Sequence, residues 1–213
     1  MKLKELVEIV GELPVFETGL LLAGSERPEH VIRQLSRWVA GGQVIQLRRG
    51  LYMLAPPLRK INPHPFVIAN HLEPGSYVSC ESVLAYRGLI PEYVPVTKSV
   101  GPVRSRRRKT LAGMFEFHHL KSACVFGYQK EEIAHGQSAF VATSEKALVD
   151  LIYLTPASDD KAFIRELRLS PDEPLDNERL FEYAEQCKSP KLLRAVKIIK
   201  QVVFEKKGEY REI

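Results

Sequence analysis

His30, Arg33, Gln34 and Arg37 fall at i, i+3, i+4 and i+7 in the stretch SERPEHVIRQLSRWVAGGQVIQLRRGLYML, which runs from Ser25 to Leu54. On a helix that spacing puts all four on one face. Side chains of these types carry hydrogen-bond donors or positive charge on long stems, so they reach base edges and phosphate oxygens. Val31, Ile32, Leu35, Trp38 and Val39 form an apolar stripe on the other side. Pro28 suits a first helical turn, where its missing amide has no partner anyway, and Gly41-Gly42 ends the helix. Its start falls at Ser25 or Arg27. Gln43 to Leu47 and Leu51 to Met53 then alternate apolar and polar residues around Arg48-Arg49-Gly50, the pattern of a hairpin with two arginines at its tip. The chemistry expected is DNA binding. Arg33, Gln34 and Arg37 would face the major groove with His30 at its edge, while Arg48 and Arg49 would lie on phosphate or in the adjacent minor groove. A charged outer face is also what a merely solvated helix shows. The hairpin directly after it is the distinguishing mark of a winged helix-turn-helix.

The densest charge run is Arg104-Ser105-Arg106-Arg107-Arg108-Lys109, five basic residues in six positions between Pro102 and Gly113. It reads as a strand-connecting loop. So many like charges favour an anion, a nucleic acid or an acidic protein surface as partner, although a solvated loop shares the composition and no aromatic residue interleaves to stack bases. Catalytic signals are weak. Glu116, His118 and Glu145 are the residues a nucleic-acid enzyme would use, but His118 and His119 on one strand point to opposite faces and no carboxylate stands beside them at ligand spacing. Glu145 in a first helical turn reads as a partner of the helix dipole, and Lys146 with Asp150 as an i, i+4 ion pair. No phosphate-cradling glycine loop, nucleophile elbow or zinc-protease motif occurs in the sequence. The chain therefore reads as non-enzymatic, with no catalytic residues, metal ligands or cofactor expected.

The elements that would position these residues fall into two groups. Leu3, Leu6, Val7 and Val10 give Met1 to Gly11 an amphipathic helix, and Phe16 to Ala23 supplies a second helix stopped by Gly24. With the basic helix and hairpin, residues 1–55 make a winged helix-turn-helix domain. The segment APPLRKINPHP follows, and its four prolines mark residues 56–65 as a semi-rigid linker closed to helix and central strand. Residues 66–213 mix elements without regular alternation. Helices are expected over Phe66 to Leu72, after Ser79 as cap, from Thr143 to Leu154, around Lys161 to Leu169 and in two final amphipathic stretches lined by Leu180, Phe181 and Ala184 and by Leu192, Val196, Ile199 and Val203. Strands are expected at Val94 to Val100, Gly113 to Leu120, Cys124 to Tyr128 and Ser138 to Ala142. Such a mixture argues for an α+β fold ending in helices rather than a doubly wound parallel sheet.

The chain of 213 residues has a formal net charge of +5 and a pI near 9.1, which suits a polyanionic partner. No stretch has the apolar length of a membrane span and the N-terminus lacks a signal peptide's apolar run, so no membrane partner and a cytoplasmic location are expected. Three widely spaced cysteines, Cys80, Cys124 and Cys187, suggest neither a disulfide framework nor a zinc site.

In their order, a winged helix ending in RRGLYML, then SYVSCESVLAYRGLIPEYVP, then a basic hairpin, FEFHHL and ATSEKALVDLIYL resemble the antitoxins of abortive-infection E systems, a type IV toxin-antitoxin family also described as predicted transcriptional regulators of viral defence systems. The resemblance spans Leu13 to Leu154. Its most specific pieces are Arg49-Gly50-Leu51-Tyr52, Ser79 with Ser82 and Leu84, and Glu145-Lys146-Ala147-Leu148 with Asp150. It implies a winged helix that represses its own operon by binding inverted repeats in double-stranded DNA, and a second domain that counters a nucleotidyltransferase-like toxin without necessarily touching it. A protein-interaction adaptor that docks an acidic partner through the basic run is the alternative, followed by a nucleic-acid enzyme.

Overall fold

A computed structural model of the protein describes residues 1–23, 28–170 and 175–204. The chain begins with α1 (Leu3–Val10), which buries Leu6 and Val10. Then come a two-residue strand β1 (Phe16–Glu17), α2 (Thr18–Leu22), α3 (Pro28–Ala40), β2 (Val44–Arg48) and β3 (Leu51–Leu54). Phe16 and Glu17 thus depart from the expected helix. They pair antiparallel with Tyr52 and Leu51, and Phe16 stacks on Tyr52 at 5.8 Å, a cross-strand contact that local periodicity does not reveal. The resulting sheet has the order β1-β3-β2. The expected stop at Gly24 and helix start at Ser25 or Arg27 lie outside the described residues.

Leu6, Val10, Phe16, Leu21, Val31, Leu35, Trp38, Val44 and Leu54 close a small core under these elements. Val15, Leu47, Leu51 and Met53 do not belong to it. They join a second, larger core with residues from Phe66 to Ile199. One side of the hairpin is therefore built into the rest of the molecule.

The proline-rich stretch is held at both ends. Leu58 packs on the small core and Lys60 pairs with Glu12 at 2.6 Å. At its far end the Gln137 amide accepts from the His64 backbone amide (2.9 Å) and donates to the Asn62 carbonyl (3.1 Å). Pro65 opens α4 (Pro65–Leu72) instead of preventing a helix, because the first helical position needs no amide donor and suits proline's fixed φ. His64 caps that helix: its ring Nδ1 accepts from the Phe66 amide at 3.2 Å.

Beyond it lies a mixed sheet of six strands: β4 (Tyr77–Val78), β5 (Val96–Gly101), β6 (Arg106–Thr110), β7 (Gly113–His119), β8 (Tyr128–Ala134) and β9 (Gln137–Ala142). Their order is β6-β7-β5-β4-β9-β8, with β5/β7 and β4/β9 parallel and the other pairs antiparallel. The expected strand at Cys124 to Tyr128 is instead a 3-10 turn (Ser122–Cys124) leading to β8, which begins at Tyr128. β8 reads as polar because it is an edge strand with little to bury. Helices α5 (Cys80–Tyr86), α6 (Ser144–Leu154), α7 (Lys161–Glu166), α8 (Asn177–Gln186) and α9 (Pro190–Ile199) complete the mixed α+β architecture, and α9 continues as a π-helical turn to Phe204.

α6 departs most from its sequence pattern. Every residue from Glu145 to Ile152 is buried, so this is a helix enclosed on all sides rather than one with a single apolar stripe. Phe181, expected in the core, is 41% exposed, while Leu180 and Ala184 are buried as expected. Lys191 at the start of α9 is half-buried, and its ammonium donates to the Tyr153 and Thr155 carbonyls (3.1 and 2.7 Å) at the end of α6. Among the described residues no helix is long and apolar enough to cross a membrane.

Candidate nucleic-acid interface

α3 separates its two faces cleanly. Val31, Leu35 and Trp38 are buried, while His30, Arg33 and Arg37 are exposed and Gln34 is half-buried. None of these four polar side chains makes a hydrogen bond or ion pair among the described residues, so their donors face solvent unspent. Ile32, expected in the apolar stripe, is 50% exposed. It sits beyond the arc that the small core covers, and Val39 is only partly buried for the same reason. The helix ends at Gly41-Gly42, where Gly42 takes φ 74° and the Gln43 amide bonds to the Trp38 carbonyl at 2.9 Å. That left-handed step turns the chain directly into β2.

The hairpin separates its two arginines. Gly50 at φ 82° makes the turn, and its carbonyl accepts from the Thr18 amide at the start of α2 (2.9 Å). Arg49 is exposed, and its side chain has no partner among the described residues. Arg48 is spent inside the molecule: Nη2 donates to the His71 carbonyl at the end of α4 (3.1 Å) and lies 3.5 Å from Glu17 Oε1, and Nη1 donates to the Arg49 carbonyl. The cause is the irregular register between Gln46 and Arg48, which puts Arg48 opposite Leu51 on the side facing the larger core. As a phosphate ligand it would first have to leave these partners.

From Arg106 on the basic run is a strand rather than the expected loop, while Arg104 and Ser105 lie in the connection before it. Arg106 to Thr110 pair with Phe117 to Gly113 as the outermost strand of the large sheet. Carboxylates of the same chain relieve part of the repulsion that argued for an acidic partner: Arg106 pairs with Glu73, and Arg107 Nε with Glu116 Oε1 at 3.1 Å. Arg108 is half-buried opposite Phe115, and its Nε has no partner. Arg104 and Lys109 are exposed, with side chains unpartnered among the described residues. These are the charges left for an external anion.

His118 and His119 do diverge as their strand positions require. His118 Nε2 lies 3.6 Å from Glu116 Oε2, and His119 Nδ1 lies 3.2 Å from the Val103 carbonyl. The expectation that no carboxylate stands beside them is corrected by Glu116, two residues earlier on the same face of β7. Glu145 has a different task, accepting from the Asp176 amide at 3.1 Å where α8 begins. Among the described residues no group of three or more His, Cys, Asp and Glu side chains is placed to hold a metal ion.

The expected Lys146–Asp150 ion pair is present, but sequence reasoning missed that it is buried and is the centre of a polar network with Ser79 and Tyr77. Lys146 is 0% exposed and its ammonium bonds to Asp150 Oδ1, while Oδ2 accepts from Ser79 Oγ (2.7 Å) and Tyr77 OH (3.1 Å). The ammonium also lies 4.9 Å from the Phe126 ring centroid and 5.6 Å from that of Tyr77. Burial pushes the Asp150 carboxyl above the usual range, and Lys146 with the two hydroxyls pulls it back. Burial and the neighbouring Asp150 hold the Tyr77 phenol well above its ordinary value, so it stays a donor. Ser79 occupies the cap position of α5, as expected, but its hydroxyl serves Asp150 and not the helix backbone. The next residue, Cys80, takes φ 56°, a left-handed conformation costing about 1–3 kcal/mol in a non-glycine residue. The strand-to-helix corner thus resembles a nucleophile elbow in backbone only. The Cys80 thiol is 2% exposed, and burial drives its pKa well up, away from thiolate. Three ionisable residues, Glu145, Lys146 and Asp150, inside an otherwise apolar helix were the available signal.

In class the chain is a mixed α+β protein. Among solved structures it is similar to the crystal structure of the RV2827C protein from Mycobacterium tuberculosis, with a TM-score of 0.57 at 16% identity over 92% of this chain and 75% of that chain. At that identity the likeness is one of fold. No family model and no curated protein matches the chain.

Proposed function

We propose that the protein is a DNA-binding transcriptional repressor whose first 55 residues form a winged helix-turn-helix. The observation that carries this is the outer face of α3, where His30, Arg33 and Arg37 stand exposed and unpaired opposite a buried Val31–Leu35–Trp38 stripe. The element order α1-β1-α2-α3-β2-β3, with β1 added to the hairpin, supports it. Arg33, Gln34 and Arg37 read base edges in the major groove, His30 lies at its rim, and Arg49 contacts phosphate. Arg48 acts mainly as a tether between hairpin and α4. The antitoxin role, countering a nucleotidyltransferase-like toxin, rests on the resemblance of the motifs, which include the Ser79–Lys146–Asp150 network.

Footprinting on the DNA upstream of the protein's own gene tests this reading. A good base contact is worth about 1–3 kcal/mol of discrimination, so Arg33→Ala with Arg37→Ala should abolish the footprint while circular dichroism stays unchanged. Arg49→Ala should weaken binding to all sequences alike and lower the salt slope by about one unit. An unchanged footprint in the double variant would remove α3 as the reader.

A second reading is favoured by β6, which is both an open sheet edge and basic. An acidic extended segment of a partner protein fits that edge, by strand addition with charge complementarity at Arg104 and Lys109. Stoichiometric copurification of a protein partner, with no DNA retained at low salt, would favour it over the repressor.

A further inference from the structure

A recess of about 300 Å³ opens between the start of α4, the end of α5 and the connection that leads from α5 to β5. Three aromatic rings in its lining are set steeply to one another. His64 and Phe66 lie 4.8 Å apart between centroids at 90°, His64 and Tyr86 5.9 Å apart at 72°, and Phe66 and Tyr86 5.2 Å apart at 58°. Planes inclined in this way enclose a corner, as a parallel stack would not. Phe66 is buried, whereas Tyr86 is 46% exposed. Tyr93, a fourth ring of the same recess, is 89% exposed and so contributes little to the core.

Glu92 brings a carboxylate to these rings. Its Oε1 accepts from Arg168 Nε at 3.1 Å, which anchors the side chain, while Oε2 is covered and has no hydrogen-bond partner among the described residues. Arg168 is not part of the lining, so it holds the carboxylate without filling the space. We propose that this recess is a binding site for a small organic cation that carries a methylated ammonium group.

The chemistry of the walls selects that class. The face of an aromatic ring is negative, so a cation held among several rings is attracted by each of them. Methyl groups on the nitrogen add contact with the rings, and they replace the tightly held water that a bare ammonium would have to give up. His64 does not oppose the charge. Its Nδ1 accepts from the Phe66 amide and burial lowers its pKa, so the ring is neutral at pH 7. Arg168 answers part of the Glu92 charge, which leaves the rings as the main attraction and the carboxylate as the group that orients the ligand. The chain as a whole carries +5 and repels cations at long range, so any such binding is local to the recess. None of this depends on DNA binding.

The test titrates the full chain with choline at constant ionic strength and follows the methyl protons of the ligand by NMR. A parallel titration uses the neutral analogue in which a tert-butyl group replaces trimethylammonium. Choline should bind saturably, and the neutral analogue about tenfold more weakly. Tyr86→Ala and Glu92→Gln should each weaken choline about tenfold while circular dichroism stays unchanged. Equal affinity for the two ligands would reduce the recess to an apolar hollow and overturn the proposal. So would the absence of saturable choline binding, or a choline affinity that Tyr86→Ala leaves as it was. Cosedimentation with phosphatidylcholine vesicles would move the recognition to a lipid headgroup and overturn the assignment to a free solute. The comparison of the two ligands on the wild-type chain stands alone, whatever the variants do to the fold.

Discussion

At the scale of single residues, protonation ties two histidines to conditions that can be measured. His64 caps α4 through Nδ1, which accepts a hydrogen bond only while that nitrogen carries no proton. Burial accordingly lowers its pKa below the ordinary 6.5, and burial does the same to His71 beside Arg48. The sign follows from proton counting. Above pH 6.5 both folded and unfolded chains hold neutral rings and the stabilisation is complete; as pH falls below it, the unfolded chain takes up protons that the folded chain resists, and stability is lost down through the folded values. Urea midpoints should therefore drop between pH 7.5 and 5.5, and His64→Asn, which keeps an acceptor at the cap without titrating, should reduce that drop. An unaltered slope would mean that the ring does not cap the helix.

At the scale of elements, α6 is held by more than apolar packing. Removing one member of the Lys146–Asp150 pair leaves a buried charge without its partner, so Asp150→Ala or Lys146→Met should each cost about 3–5 kcal/mol. Replacing both, Lys146→Met with Asp150→Leu, should cost less than the sum but stay below wild type, because Ser79 and Tyr77 then lose their acceptor. A urea double-mutant cycle measures the difference, and strict additivity would show that the pair is not coupled. This helix also shows what the chain's periodicity reveals. Apolar spacing located α1, α3, α6 and α9, and glycine after a stripe located the α3 stop, since these depend on neighbours within a few residues. It could not show that α6 is enclosed by other elements on its polar side too. Nor could it show that Phe16–Glu17 would find Tyr52, or that Glu73 and Glu116 would let five basic residues in six positions lie in and beside a strand. The outer face of α3 was legible because no distant segment competes for it; Arg48 was not, because its partner carbonyl at His71 is 23 residues away.

Across the whole molecule, the distribution of core residues makes the first 55 residues dependent on the remainder. Val15, Leu47, Leu51 and Met53 are buried against elements that follow the proline-rich stretch, which is itself held by Glu12 and Gln137. Unfolding should therefore be one transition. Trp38, the only tryptophan, sits in the small core and reports on it by fluorescence, while far-UV circular dichroism reports on all helices. The two midpoints should coincide in wild type. Leu51→Ala, removing a fully buried side chain, should lower both together by about 2–5 kcal/mol. A tryptophan transition that precedes the dichroism would show that the small core melts independently.

The position of β6 at the end of the large sheet bears on solubility. An open row of backbone donors and acceptors is a template on which another chain can grow, and the guanidinium and ammonium groups of Arg104, Arg107 and Lys109 impose mutual repulsion on any two molecules that approach by that border. Polyanions or concentrated salt that quench this repulsion would remove the guard, and edge-to-edge association should then increase.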